Sequence, residues 1–230
     1  EVVSLAIDML ESCGLMDYEL RIGHVGVLKD ILTGLGLSSQ GEPEPPVATA
    51  MRLLDKGDWD GLAELFTAHG IGNSSLENLQ KLSQLDGGME TLVSARSILS
   101  ELGVSHESLD QLAELLSAVE SLAPSPPSLK VNLCVARGLD YYTGMVFEVN
   151  VAELGGEGQV LGGGSYKLLH LFGLEDLDPS CGFGLGFDRV LLALEAQAER
   201  VGRSEVVPGE APSPSTLMLP FKIEAKSVLS

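Results

Sequence analysis

The sequence has 230 residues, of which 44% are hydrophobic and 20% charged, a balance typical of a globular protein and not of a disordered one. No apolar run approaches the roughly 20 residues that a membrane-spanning helix needs, so we expect no membrane partner. The formal net charge of −19, with no basic cluster, argues against extended nucleic-acid contact by these residues alone, because phosphate binding depends on Lys and Arg.

The cysteines and the start of the chain bear on location. Cys13, Cys134 and Cys181 are widely spaced without a CxxC pair, which argues against a disulfide framework and a zinc site. They are predicted to be small core residues in a reducing, cytoplasmic protein. Glu1 opens directly into a helical pattern without a targeting segment or an initiator Met, so we expect the sequence to be part of a longer chain.

The first 40 residues combine helix and strand signals. Apolar residues at helical spacing predict a helix over residues 2–13, which Gly14 ends. Residues 18–22 alternate between apolar and polar side chains, as in a half-buried strand. A second helix is predicted from position 27 to about 37. Residues 1–40 are therefore predicted to be the N-terminal part of a domain that mixes helices with a sheet.

Residues 41–127 have a purely helical texture. Short amphipathic helices are predicted around Met51, Trp59, Leu92 and Leu109. The residues between them form no recognisable catalytic or binding motif. A Pro-rich stretch closes this part of the chain. We predict an all-helical insertion subdomain.

From residue 128 the pattern changes to strands and glycine-rich turns. A closing helix is predicted over residues 188–200, with Val190, Leu191 and Leu194 on its apolar face. Residues 128–202 are predicted to carry the main sheet, and residues 203–230 to be a linker or tail. The predicted strands are 131–136, 145–152 and 159–161, followed by a strand with alternating glycines before the helix.

The first candidate site is the segment Arg137-Gly-Leu-Asp-Tyr-Tyr-Thr-Gly144, between two predicted strands. The planar guanidinium of Arg137 suits a carboxylate or a phosphate. Tyr141 and Tyr142 offer rings with polar tips, and in a strand they point to opposite faces, so one of them is expected to face a ligand. The alternative is a hairpin in which Arg137 pairs with Asp140 and the tyrosines simply pack.

Two glycine-rich segments are further candidates. Leu161-Gly-Gly-Gly-Ser-Tyr166 allows close backbone approach to a ligand, or forms a flexible turn. Gly182-Phe-Gly-Leu-Gly-Phe-Asp-Arg189 offers a flat floor for a planar base, with Arg189 placed to stack on it or pair with phosphate. It is not a dinucleotide-binding fingerprint, because the third glycine and a following βαβ unit are missing.

The order of these motifs resembles histidyl-tRNA synthetases, which are class II enzymes. The motifs that show the resemblance are RGLDYYTG followed by VFEV, the Gly-Gly-x-Tyr element, and GFGLGFDR before a helix. The resemblance covers about residues 1–200. It implies an α+β fold: an antiparallel sheet of class II type with flanking helices and a helical insertion. It also implies a ligase that uses ATP and Mg²⁺ to activate histidine for tRNA(His), and a homodimer when complete.

The resemblance implies roles for particular residues and no direct metal ligand. Arg137 would be catalytic, contacting the α-phosphate and the histidine carboxylate. Tyr166 would close the pocket around the imidazole, and Arg189 would engage ATP. The implied histidine-binding residues are Tyr141, Tyr142, Gly163, Gly164 and Tyr166, and the implied ATP-binding residues are Gly184, Gly186 and Arg189.

One departure keeps other functions open. The family pattern after the paired glycines is Arg-Tyr-Asp, whereas this chain has Ser165-Tyr166-Lys167. Motifs 1 and 2 of class II enzymes and a convincing anticodon-binding domain are missing, so this chain alone is expected to be inactive. The alternatives are a histidine sensor similar to the regulatory subunit of ATP phosphoribosyltransferase, and a tRNA-binding pseudo-synthetase domain, against which the acidic charge argues.

Overall fold

The residues that the structure describes form one five-stranded sheet and eight α-helices. A computed structural model of the chain describes residues 1–41, 43–122, 126, 128–134, 142–174 and 180–200. The strands are β1 Glu19–His24, β2 Ser128–Asn132, β3 Tyr142–Asn150, β4 Gln159–Tyr166 and β5 Ser180–Leu185. The helices are α1 Val2–Ser12, α2 Val25–Gly34, α3 Pro46–Lys56, α4 Trp59–Ala68, α5 Asn73–Ser83, α6 Thr91–Leu102, α7 Glu107–Leu122 and α8 Phe187–Arg200.

The strand order is β2-β1-β3-β4-β5. Three of the four pairings are antiparallel, and β1 with β2 is parallel. The parallel pair arises because helices α2–α7 intervene between its strands, and such a crossover lets the chain return in the same direction. The predicted α+β class is confirmed, with one edge pairing differing from a purely antiparallel sheet.

Alternation along the strands gives the sheet two chemically different faces. Leu20 and Ile22 of β1 and Val149 of β3 are fully buried. Their neighbours Arg21 and Glu148, which are register partners, lie on the opposite, partly exposed face. The apolar face packs against the helices, so the polar face is the one that is available to a ligand.

The helical part of the chain shares its core with the sheet. Leu62, Leu79 and Leu112 of helices α4, α5 and α7 belong to the same buried cluster as Leu20 of β1. Helix α7 contacts β1 and also α1 and α2. The helices expected from residue 47 onward are present, and α5 adds a segment whose pattern alone had not marked a separate helix.

Several local predictions need correction. Leu191 is 44% exposed, because Val190, Ala193 and Gln197 form the buried stripe of α8. Strand β4 continues through the three glycines to Tyr166, five residues beyond the prediction, because β3 and β5 both pair with it.

The prediction that the cysteines are core residues was also wrong for two of the three. Cys13 and Cys181 are exposed, and Cys134 is half-buried. Cys13 lies at the C-terminal end of α1, beyond the buried turns, and Cys181 alternates outward on the edge strand β5. Burial raises the pKa of the Cys134 thiol to about 12, which makes it a poor nucleophile.

None of the helices within the described ranges is long and apolar enough to cross a bilayer. They range from 10 residues for α2 and α4 to 16 residues for α7.

Helix α8 is fastened to the turn that precedes β1. The buried side-chain amide of Gln197 donates from Nε2 to the carbonyl of Asp17 at 2.5 Å and accepts from the backbone N–H of Met16 at 3.4 Å. Arg200, one turn later, contacts Asp17 Oδ2 at 2.7 Å and Glu153 Oε1 at 2.9 Å. These contacts fix the far end of the helix whose first turn carries Arg189.

Replacing Gln197 by Met tests this fastening. The change keeps the volume but leaves the Asp17 carbonyl and the Met16 N–H without their side-chain partner, so we expect a loss of about 1–3 kcal/mol in the free energy of unfolding. Urea unfolding measures it. The same substitution at exposed Gln111 of α7 is the control, expected to stay within about 0.5 kcal/mol. Equal effects at both positions would show that the Gln197 contacts do not stabilise the fold.

Candidate functional site

The polar face of the sheet carries a cavity of about 250 Å³. This is near the small end of ligand sites, so the cavity suits a small ligand or part of a larger one. All five strands contribute to it. Its lining residues are Arg21, Gly23, Asn132, Tyr142, Val146, Phe147, Glu148, Gln159, Gly162, Gly163 and Gly184.

Two tyrosines lie over glycines at one side of the sheet. A Cβ on Gly164 would come within 3.0 Å of two ring carbons of Tyr142, and one on Gly182 within 3.4 Å of the Tyr166 hydroxyl. Tyr142 and Tyr166 are also register partners across β3 and β4. The missing side chains therefore let the Tyr142 ring and the Tyr166 hydroxyl approach the backbone of the sheet.

A third glycine permits close strand packing. A Cβ on Gly163 would lie 2.3 Å from the carbonyl oxygen of Gly182 and 2.5 Å from Cβ of Phe183. The Phe183 ring meets Phe147 edge-on, with 6.1 Å between the centroids. Gly184, by contrast, has open space where a side chain would stand, so it forms bare floor.

Arg189 is oriented by the edge of this floor. Its Nη1 donates to the carbonyl oxygen of Gln159 at 2.9 Å. The Gln159 side chain lies across Gly162, with Nε2 2.4 Å from the place of a Gly162 Cβ. A register shift between Val149 and Asn150 occurs where β3 meets Gln159, the kind of irregularity that re-aims a side chain.

A charged pair on β1 lies at the other side of the cavity. Arg21 Nε donates to Glu19 Oε1 at 2.5 Å, and Lys130 Nζ lies 3.1 Å from Glu19 Oε2. Burial acts to raise the pKa of Glu19, but hydrogen bonds from Arg21 and Lys130 outweigh it and hold that pKa below its ordinary value. Glu19 is therefore a carboxylate at neutral pH.

The structure brings together part of the predicted site. Tyr142, Gly163 and Gly184 line the cavity. Gly164 and Tyr166 adjoin it through the contacts above, whereas Gly186 and Arg189 lie at the β5–α8 junction beside Gln159, with Gly186 close to the Arg189 side chain. Arg137 and Tyr141 lie outside the described residues, so their predicted roles remain predictions.

Sequence reasoning missed four polar lining residues, Arg21, Asn132, Glu148 and Gln159. A signal existed for Arg21 and Glu148, since each alternates with buried neighbours and so falls on the ligand face. Asn132 and Gln159 gave no such signal, because their placement depends on how β2 and β4 pair with other strands.

His24 has a structural role at the start of a helix. It is the N-cap of α2, and its Nδ1 accepts from the backbone N–H of Gly26 at 3.1 Å. Desolvation by burial lowers the pKa of His24, with a further lowering from Lys29 opposed by Asp30. The neutral imidazole is the form that can accept this bond.

The part of the chain that is described holds no group of three or more His, Cys, Asp or Glu placed to bind a metal. Glu148 is the acidic side chain that lines the main cavity. A divalent cation bound mostly through the phosphates of a nucleotide would need one or two carboxylates from the protein, and Glu148 fits that requirement.

A five-stranded sheet with a glycine floor, an arginine at the start of the following helix and a polar face is a fold of class II synthetase type. The sequence model of the family Histidyl-tRNA synthetase matches residues 1–190. The chain therefore belongs to the histidyl-tRNA synthetase family.

Individual relatives agree with this assignment. The chain is 39% identical over 194 residues to the histidine--tRNA ligase of Methanocorpusculum labreanum, covering 84% of this chain and 42% of that protein. It is 37% identical over 198 residues to the one of Archaeoglobus fulgidus, covering 86% and 44%. The chain thus spans less than half the length of the curated relatives that it matches.

A solved structure supports the fold. The histidyl-tRNA synthetase of Nostoc sp. PCC 7120 superimposes with a TM-score of 0.67 over 87% of this chain and 46% of that one, at 21% identity.

Substitutions at two glycines test which one packs closely against a neighbouring strand and which one only forms the open floor of the cavity. Gly163→Ala places a methyl group against backbone of β5, so we expect a loss of about 1–3 kcal/mol in stability and a lower Tm. Gly184→Ala meets open space and is the matched control, expected to leave Tm nearly unchanged. Thermal unfolding followed by circular dichroism measures both, and a Gly163→Ala protein as stable as Gly184→Ala would contradict the close β4–β5 contact.

His24 should make stability depend on pH. Since its folded pKa lies below its ordinary 6.5, its contribution is complete above pH 6.5 and is lost as pH falls through the folded pKa. His24→Asn keeps a capping acceptor but does not titrate. The wild type should therefore lose stability relative to His24→Asn as the pH is lowered from about 8 to about 5. A pH-independent difference at His24 would refute the prediction.

Proposed function

We propose that this chain is part of a histidine–tRNA ligase. In this reaction the carboxylate of histidine attacks the α-phosphorus of ATP, pyrophosphate leaves, and the histidyl group passes from the adenylate to tRNA(His). The observation that carries the proposal is the polar sheet face, where Tyr142 and the glycine floor share one cavity in a chain of this family. Catalysis of this kind depends on positioning and electrostatics more than on covalent chemistry.

Histidine would bind at the tyrosine side of the cavity. Tyr142 lies against Gly164 and Tyr166 against Gly182, and such amphipathic rings suit a pocket for a polar ring. We propose Tyr141, Tyr142, Gly163, Gly164 and Tyr166 as its binding residues. Arg137, from the adjoining segment, would be catalytic, stabilising the charge that develops as the histidine carboxylate attacks phosphorus.

ATP would bind over the bare floor at Gly184 and Gly186. The Gln159 carbonyl holds the guanidinium of Arg189 at the edge of this floor, where it can stack on a base or pair with a phosphate. Mg²⁺, when bound with ATP, would neutralise phosphate charge, and Glu148 is the residue proposed to help hold it.

The wider setting follows from the family. We propose a cytoplasmic homodimer whose full-length form binds tRNA(His), with no membrane partner. The proposed division of this chain is the start of the catalytic core over 1–40, the helical insertion over 41–127, the sheet and pocket over 128–202, and a linker or tail over 203–230.

A histidine-sensing role without catalysis, as in a regulatory subunit of ATP phosphoribosyltransferase, is the second candidate. It is favoured by Ser165-Tyr166-Lys167 in place of Arg-Tyr-Asp. Ser165 lies opposite Cys181 on the outer strand pair, so a charge that the family pattern provides there is absent. Binding of histidine without pyrophosphate exchange by the full-length protein would identify the sensor.

Pyrophosphate exchange also tests the ligase directly. The full-length protein should incorporate labelled pyrophosphate into ATP when histidine is present. Arg137→Ala should lower this rate by about 10²–10³-fold, as expected for the loss of one preorganised charge donor. Arg52→Ala is the control, because Arg52 forms an exposed pair with Glu44 away from the cavity. Near-normal exchange by Arg137→Ala would reject its assigned role.

A further inference from the structure

Arg21 stands between two cavities. Besides the main cavity it lines a second one of about 380 Å³, and Glu148 is the other charged residue that they share. Among the described residues, Arg21 is the cation that lines either of them. The second cavity is bounded by Glu19, Arg21, Glu148, Asn150, Val151, Ala152, Gly155, Gly156 and Gly158.

The guanidinium of Arg21 is held by one of its five N–H donors. Nε bonds to Glu19 Oε1 at 2.5 Å, and the side chain is 42% exposed. The four N–H donors on the two terminal nitrogens make no further hydrogen bond to the part of the chain that the structure describes. A guanidinium fixed in this way presents a planar fork, the geometry that matches phosphate oxygens.

Glu19 is in turn held from the helical part of the chain. Its second oxygen, Oε2, contacts Lys130 Nζ at 3.1 Å, and Lys130 donates to Asp86 Oδ2 at 2.8 Å. The hydrogen bond that Lys130 donates to Asp86 lowers the pKa of Asp86 and raises the pKa of Lys130, so both are charged at neutral pH. The three ion pairs form a continuous path from the α5–α6 connection to Arg21.

A backbone contact fixes the start of this path. The N–H of Val131 on β2 donates to the carbonyl of Gly87 at 2.8 Å. Strand β2 is the edge of the sheet, so residues 86–87 cover that edge and place Asp86 beside Lys130. The position of the helical segment is thereby coupled to that of a cavity side chain.

We propose that Arg21 binds the β- and γ-phosphates of the nucleotide and the pyrophosphate product, and that Lys130 and Asp86 position it through Glu19. This inference rests on the proposed ligase function. A polyphosphate is the anion expected here because Arg21 lines both cavities and its planar fork matches phosphate oxygens. It also needs a cation to offset Glu19 and Glu148, which line the same space.

Lys130 has a specific electrostatic role in this arrangement. Glu19 competes with any anion for the guanidinium of Arg21. Because Lys130 shares the Glu19 carboxylate, it weakens that competition while Glu19 still orients Nε. Loss of Lys130 should leave the whole charge of Glu19 on Arg21 and so weaken phosphate binding without removing the arginine.

The test is pyrophosphate exchange by the full-length protein, with separate KM values for pyrophosphate, ATP and histidine. Arg21→Ala should raise the KM for pyrophosphate and ATP by about tenfold or more, the range for a lost hydrogen bond between charged groups, and leave the KM for histidine unchanged. Arg21→Lys should recover part of the loss. An unchanged KM for pyrophosphate, or an equal rise in the KM for histidine, would overturn the assignment.

The positioning residues need a second comparison. Lys130→Met should raise the same two KM values about two- to fivefold, as suits a partly exposed ion pair, and Lys130→Arg should restore them. Arg96→Met is the matched control, since it breaks an exposed pair with Asp110 within the helical segment. Equal effects of Lys130→Met and Arg96→Met would refute the coupling.

The two proposals fail differently. Wild-type protein without any exchange would refute the ligase function. In that case, calorimetric titration of the full-length protein with pyrophosphate decides the role of Arg21: heat that Arg21→Ala abolishes supports the phosphate site, and heat that persists refutes it. Thermal unfolding of each variant identifies any that fails to fold, and Arg21→Gln then replaces Arg21→Ala.

Discussion

The close approach of β4 and β5 at Gly163 is the constraint on which the site depends. With Gly182 O and the Phe183 backbone so near, any side chain at 163 would push the two strands apart. That separation would tilt the floor at Gly184 and break the edge contact between Phe147 and Phe183 beneath it. The glycines of β4 and β5 thus have two roles. Some allow the strands to approach each other closely, and others leave the ligand face without side chains.

Most helices were predicted from the sequence because they depend on local apolar spacing, whereas the fold class was predicted from the resemblance of the ordered motifs to a known family. The strand that follows residue 159 was predicted too short, since glycines carry no alternation to read and β4 is specified by pairing on both sides. Arg21 illustrates a second limit. Its place on the ligand face follows from alternation, but its contact with Glu19 and the path to Asp86 require β2 to return beside β1 after all the helices.

Acidity takes on a more specific meaning in the folded chain. The sequence has 14 Lys and Arg against 33 Asp and Glu, and several of these few cations are engaged with protein groups: Arg21, Lys130 and Arg200 with carboxylates, and Arg189 with a carbonyl. The positive charges of these residues therefore lie at selected positions instead of forming a continuous basic surface. This suits recognition of a compact phosphate group better than that of a long nucleic-acid backbone.

The parallel pairing of β1 with β2 has a consequence for the order of folding. During synthesis β1 emerges long before β2, and its outer edge can gain its native partner after helices α2–α7 have been made. Closing so long a loop adds little to the equilibrium cost, which grows only logarithmically, but contacts between distant positions slow the search for the native state. The charged path through Lys130 should therefore be among the last features to form, so a nascent chain could complete its helices well before its anion site becomes competent.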